Sequence, residues 1–218
     1  MTHSQQVTIG STSGYLSEPG PNKVGVVVIQ EYWGLVPHIK DIADRFARQG
    51  YVALAPDLYH GKSTVHAEEA QHLMQGLDWG RAATEMAEAV QYLRTSAGCT
   101  KVAVVGFCMG GALAMIAATG SVDAYASFYG FPPKGAAPVD RIGAPGIIFF
   151  GEKETFFSVS EAQAFVKEQT AKRRQADIVI YPGAGHAFFN DTRPEAYQAA
   201  AATDAWRRTL DLFGTLRG

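Results

Sequence analysis

Cysteine is scarce in this 218-residue chain: there are two, Cys99 and Cys108. Two thiols so close together, in segments of different character, cannot build a disulfide framework. No CxxC pair or Cys/His cluster offers ligands for structural zinc. Long apolar runs are also missing, and none approaches the ~20 residues that cross a bilayer. The opening MTHSQQVTIG has no basic stretch leading into an apolar core, so no secretory signal is expected. Nor does one sign of charge dominate: 19 Lys and Arg against 21 Asp and Glu leave −2. That excludes the electrostatic footprint of a nucleic-acid or anionic-membrane binder. These absences point to a soluble, cytoplasmic protein with free thiols; a monomer is the default expectation, and a small molecule is the expected partner. What is abundant is apolar: 47% hydrophobic against 18% charged residues, which excludes disorder and fills one domain spanning 1–218.

Short runs rich in β-branched residues recur at 24–30 (VGVVVIQ), 51–55 (YVALA), 101–105 (KVAVV), 124–128 (AYASF), 146–150 (GIIFF) and 177–181 (DIVIY). Runs apolar on both faces belong inside a parallel sheet. Helical periodicity fills the gaps at 39–48, 79–95, 160–169 and 194–213. The alternation predicts an α/β protein: a mostly parallel twisted sheet with helices on both faces. Residues 5–16 alternate and contain Gly10 and Gly14, so an antiparallel hairpin is expected at one edge. Polar residues 59–76 read as a loop and short helix outside the sheet, and proline-rich 130–144 as loop. Ligands of such sheets bind at the carboxyl ends of the strands.

One strand end carries a distinctive turn. After KVAVV come Gly106-Phe107-Cys108-Met109-Gly110-Gly111 and then a helical run. This is the G-x-S-x-G nucleophile elbow with cysteine at its centre. The flanking glycines are required where a Cβ would collide across the strained turn. The helix that follows places N–H groups and a positive dipole end beside the thiol, which favours thiolate. The N–H of Met109 is the expected oxyanion donor.

A cysteine nucleophile needs a base, and the base needs an orienting acid. His186 is the only histidine downstream, in the glycine-rich loop after DIVIY. The acid is expected after GIIFF, where Glu152 and Glu154 both qualify; Glu154 is the better placed to reach the histidine loop. Glu31 follows an entirely apolar strand. Tyr32 holds the position from which this kind of fold takes its second oxyanion N–H.

Four segments, QEYWG at 30–34, PDLYHGK at 56–62, GFCMGGALA at 106–114 and AGHAFFN at 184–190, together resemble the dienelactone hydrolase family, a cysteine branch of the α/β-hydrolase fold. The resemblance implies Cys108 as nucleophile, His186 as base and Glu154 at the acid position, where the family usually has Asp. It implies that Glu31 helps to form the thiolate and that the backbones of Tyr32 and Met109 form the oxyanion hole. No cofactor or metal is implied. Family members grip a substrate carboxylate with arginines, one of them four residues past the catalytic histidine. Asn190 stands there, a neutral partner weaker than a charged one, so a substrate other than dienelactone is expected, with Arg81 or Arg193 as replacement cations. Trp33, Phe188 and Phe189 are expected as apolar pocket walls, with Trp33, Phe188 and Asn190 touching substrate. The rival readings are a non-catalytic ligand-binding module and a thiol redox protein on the same fold. The latter needs a resolving thiol, and Cys99 lies at the far end of the strand from Cys108.

Overall fold

The computed structural model describes residues 2–20 and 24–217. The chain divides into two compact units, Met1–Val105 and Gly106–Gly218.

The first unit opens with the expected hairpin, β1 (His3–Ile9) and β2 (Thr12–Glu18), turned through Gly10 at φ +50°. β2 then pairs antiparallel with β4 (Val52–Pro56), and β4 pairs parallel with β3 (Val24–Ile29). The order is β1-β2-β4-β3-β5, with β5 at Lys101–Phe107. Every residue of β3 and β4 is buried, which is why both read as unbroken apolar runs. Helix α1 (Pro37–Arg48) starts on a proline, whose fixed φ suits a first turn, and buries Ile39, Ile42, Ala43, Phe46 and Ala47. Phe46 is fully buried, and its truncation to alanine would cost about 3–5 kcal/mol. The polar stretch beyond β4 contains α2 (Ala67–Gln75). Helix α3 (Trp79–Thr95) follows, capped by Asp78, whose carboxylate accepts the Arg81 N–H at 3.0 Å.

In the second unit, β5 runs out into α4 (Met109–Ala117). Strands β6 (Ala124–Phe128), β7 (Gly146–Gly151) and β8 (Ala176–Tyr181) lie parallel in that order, with Phe128 opposite Phe149 and Gly151 opposite Tyr181. Between them come α5 (Val159–Ala171), capped by Ser158, and the loop 130–144 with one turn of 3-10 helix. Helix α6 begins at Ala199 rather than at 194. The Gln198 N–H donates to the Phe188 carbonyl at 2.9 Å, which ties residues 190–198 back onto the loop after β8 and delays the helix. β7 and β8 end side by side, so the segments leaving them start as neighbours.

Candidate active site

The turn between β5 and α4 is clamped from several directions. Cys108 sits at φ +54°, ψ −120° as the residue before the first helical turn. A non-glycine residue in left-handed backbone costs roughly 1–2 kcal/mol, so its surroundings must impose it. They do. The Cys108 N–H donates to the Phe128 carbonyl at 3.0 Å, and its carbonyl accepts from Gly111 at 2.9 Å and Ala112 at 3.3 Å. A Cβ on Gly106 would collide with the Gly110 carbonyl. One on Gly130 would collide with the carbonyl of Cys108 itself. The glycine two before the cysteine, and Gly130 across the turn, are therefore there for want of space. Cys108 is partly exposed and Met109 opens α4. Cys99 is the opposite kind of thiol. It is 3% exposed, and burial, aided by Glu18 and opposed by Arg94, pushes it up to about 11.

The loop after β8 carries His186, and the turn after β7 carries both glutamates. Nδ1 of His186 donates to Oε2 of Glu154 at 2.8 Å. The other oxygen, Oε1, accepts three successive backbone N–H groups, from Thr155 at 2.9 Å, Phe156 at 2.7 Å and Phe157 at 3.3 Å. The Glu154 side chain has no exposed surface. Burial alone would raise its pKa. The His186 hydrogen bond and charge, with the N–H groups of Phe156 and Phe157, outweigh burial and hold the carboxyl below its ordinary value. With Nδ1 committed to the acid, Nε2 is the nitrogen left for proton transfer.

Glu152 has a different task. Its Oε2 accepts the Gly183 N–H at 2.8 Å. Two backbone bonds lie beside it, Glu152 N–H to Tyr181 carbonyl at 3.0 Å and Lys153 N–H to Ala184 carbonyl at 2.9 Å. The acid turn and the histidine loop are thus stitched together, with Glu154 on the ring and Glu152 on the backbone. Aromatic rings bracket the imidazole: Phe156 at 4.7 Å between centroids, Tyr129 edge-on at 5.0 Å and Phe157 stacked at 6.0 Å. Tyr129 directly follows Phe128, whose carbonyl holds the Cys108 N–H. The cysteine elbow and the imidazole therefore both abut the turn at 128–130.

Four expectations need correction, those for Phe188, Asn190, Phe189 and Arg81. Phe188 is fully buried, packed on Tyr181 at 5.2 Å and Tyr129 at 5.4 Å, so it is core and not a pocket wall. Asn190 is 2% exposed, and its Oδ1 accepts the Thr192 N–H at 3.1 Å and the Thr192 hydroxyl at 2.6 Å. It shapes the turn after the histidine loop instead of facing a ligand. Phe189 is buried too, stacked on Phe107 at 5.3 Å. In the first unit Glu31 is buried just past β3, Tyr32 is half-buried, and Trp33 is buried with its ring 4.3 Å from that of Tyr32. Arg81 is bonded to Glu85 at 2.9 Å and is not a spare cation. Tyr129 and Phe156 were not singled out from the sequence. Each lies just past the end of an apolar strand, where the search for ligand-facing residues belonged.

The sequence profile of the dienelactone hydrolase family matches residues 12–217. The chain belongs to the dienelactone hydrolase family. Its similarity to a Synechocystis protein provisionally named carboxymethylenebutenolidase is 34% identity, covering 93% of this chain and 91% of that one. An Aquifex pyrophilus protein named usf is 33% identical over 92% of this chain and 91% of its own length. In solved structures, the fold matches a dienelactone hydrolase-like promiscuous phosphotriesterase from metagenomic libraries. The TM-score is 0.86 at 24% identity, covering 100% of this chain and 99% of that one. This dienelactone hydrolase-family enzyme therefore has the α/β-hydrolase fold and is a hydrolase of the ester and lactone class. Among its described residues no helix is long and apolar enough to cross a membrane, and no three His, Cys, Asp or Glu side chains are grouped to hold a metal ion.

Proposed function

We propose that this enzyme cleaves a small carboxylic ester or lactone through a thioester on Cys108, with His186 as base and Glu154 as its orienting acid. The observation that carries the reading is the His186–Glu154 bond at 2.8 Å, made by a buried carboxylate whose other oxygen is fixed by backbone N–H groups. It occurs beside the same turn that clamps a cysteine elbow. The name of the Synechocystis relative supports a lactone as the natural bond.

The chemistry runs in two halves. The Cys108 proton passes to Nε2 of His186, and sulfur attacks the carbonyl carbon. The N–H of Met109 takes up the oxyanion, such a donor being worth ~3 kcal/mol in the transition state. As the C–O bond breaks, the imidazolium returns its proton to the leaving oxygen. Water then gives a proton to Nε2 and attacks the thioester. The C–S bond breaks, the acid departs and the sulfur takes the proton back. Glu154 holds the ring in one tautomer throughout and stabilises its charged form.

Trapping the intermediate tests this. Brief exposure to phenyl acetate followed by acid quench should leave acetyl on the peptide containing Cys108. Cys108→Ala should fold normally by circular dichroism and lose turnover by at least about a thousandfold. Undiminished turnover in that variant would end the proposal. The redox reading fares worse, since its only partner thiol, Cys99, is buried with a raised pKa.

A further inference from the structure

We infer that Phe156 is a substrate-binding residue that forms the wall against which the leaving-group side of the ester lies, giving the enzyme a preference for flat apolar leaving groups, such as aryl alcohols, over small aliphatic ones. This rests on the hydrolytic reading above. Among the described residues Val65, Phe156 and Tyr197 are the large hydrophobic side chains left exposed, and Phe156 is 75% exposed. A lone exposed apolar side chain needs no explanation, but this one is not placed at random. Its ring centre lies 4.7 Å from that of His186. Its backbone N–H is held at 2.7 Å by Oε1 of Glu154, the acid that orients the same imidazole. The other two rings beside His186 are more enclosed, Tyr129 fully and Phe157 by half. Phe156 is therefore the aromatic face that solvent, or a ligand in its place, can meet next to the base.

Position fixes which part of the substrate it meets. To return its proton, His186 must come within about 3 Å of the leaving oxygen. The atoms bonded to that oxygen then lie within reach of the Phe156 ring. A planar ring on the oxygen can stack there with an offset and bury apolar surface on both partners. A methyl group is too small to cover the wall.

Acetate esters isolate this subsite, because phenyl and methyl acetate pass through the same acetyl-enzyme and differ only in what leaves. Phe156→Ala keeps the backbone N–H and so keeps the hold on Glu154. It should lower kcat/KM for phenyl acetate about tenfold, mainly through KM, and for methyl acetate about twofold. Phe156→Leu should fall between, and Phe156→Tyr should keep the wild-type ratio of the two esters. The acetylated Cys108 peptide is followed in parallel. If that peptide forms and the ratio does not change in Phe156→Ala and Phe156→Leu, the wall is not where we place it, while the hydrolytic reading stands. If wild-type enzyme yields no acetyl-Cys108, the hydrolytic reading fails and this inference falls with it.

Discussion

Two histidine–glutamate pairs among the described residues, one in each unit, are built in opposite ways. In the second unit, His186 meets Glu154 at 2.8 Å, and the far oxygen of that carboxylate is occupied by three backbone N–H groups. In the first unit, Nε2 of His60 meets Oε1 of Glu85 at 3.2 Å, and Nε of Arg81 meets the same oxygen at 2.9 Å. Both carboxylates are buried. Backbone amides carry no net charge, so Glu154 keeps its full charge to set against an imidazolium. Glu85 already has a guanidinium, and its charge is largely answered before His60 is counted. What decides whether a buried carboxylate can stabilise a charged histidine is whether its other partners already carry positive charge. Glu85 ties α3 to the loop after β4, and Glu154 is free to orient and to stabilise.

The sharpest way to break this contrast is to neutralise each acid in turn. Glu154→Gln should cost a thousandfold or more in kcat, on the order seen when a triad acid becomes an amide. Glu85→Gln should change kcat by less than about threefold. Equal losses would show that the distinction drawn from their anchors is false. A second test asks the thiols the same question about surroundings. Iodoacetamide at neutral pH should modify Cys108 at least a hundredfold faster than Cys99, whose thiolate fraction at a pKa of about 11 is of order one in ten thousand. Peptide mapping at partial labelling reads the ratio. Comparable rates would remove the special character of the elbow.

Stability should run the other way from activity. Glu85→Gln leaves Arg81 and His60 without their buried partner. Both are partly exposed and recover water, so the cost should be about 1–2 kcal/mol in urea unfolding. The smallest effect concerns acid. The Glu154 carboxyl is held below its ordinary value of 4.5, so the stability it contributes is complete above that pH and is lost as pH falls through the lowered value. Between about pH 5 and 3 the gap in melting temperature between wild type and Glu154→Gln should narrow as the carboxyl takes up its proton. A gap that widened over that range would contradict the direction of the shift.

How much of this could be read from the residues depends on the range of the forces involved. Strand β6 occupies 124–128 and helix α3 79–95, as their patterns predict, because a doubly apolar run and a capped amphipathic run are locally determined. The glycine at 106 is legible for a related reason: the crowding that demands it lies within one turn. Helix α6 starts late because a backbone bond to Phe188 intervenes, which no window around Pro194 contains. Phe188 looked like a wall because it follows a histidine in a loop, yet its burial is set by Tyr129 and Tyr181, far away in the chain. Choosing between Glu152 and Glu154 needed the path of the turn after β7. The His60–Glu85 pair arises only when α3 packs against the loop after β4.

The stitching of residues 151–154 to residues 181–184 bears on how the reaction must be choreographed. A stretch written PGAGHA suggests a swinging arm, but Glu152 and Lys153 rivet it to its neighbour on the strand side. The two segments run so close that a Cβ on Gly151 would collide with the Ala184 carbonyl. In the proposed mechanism the imidazole is then a fixed post and not a shuttle, and the molecule being cut is what travels.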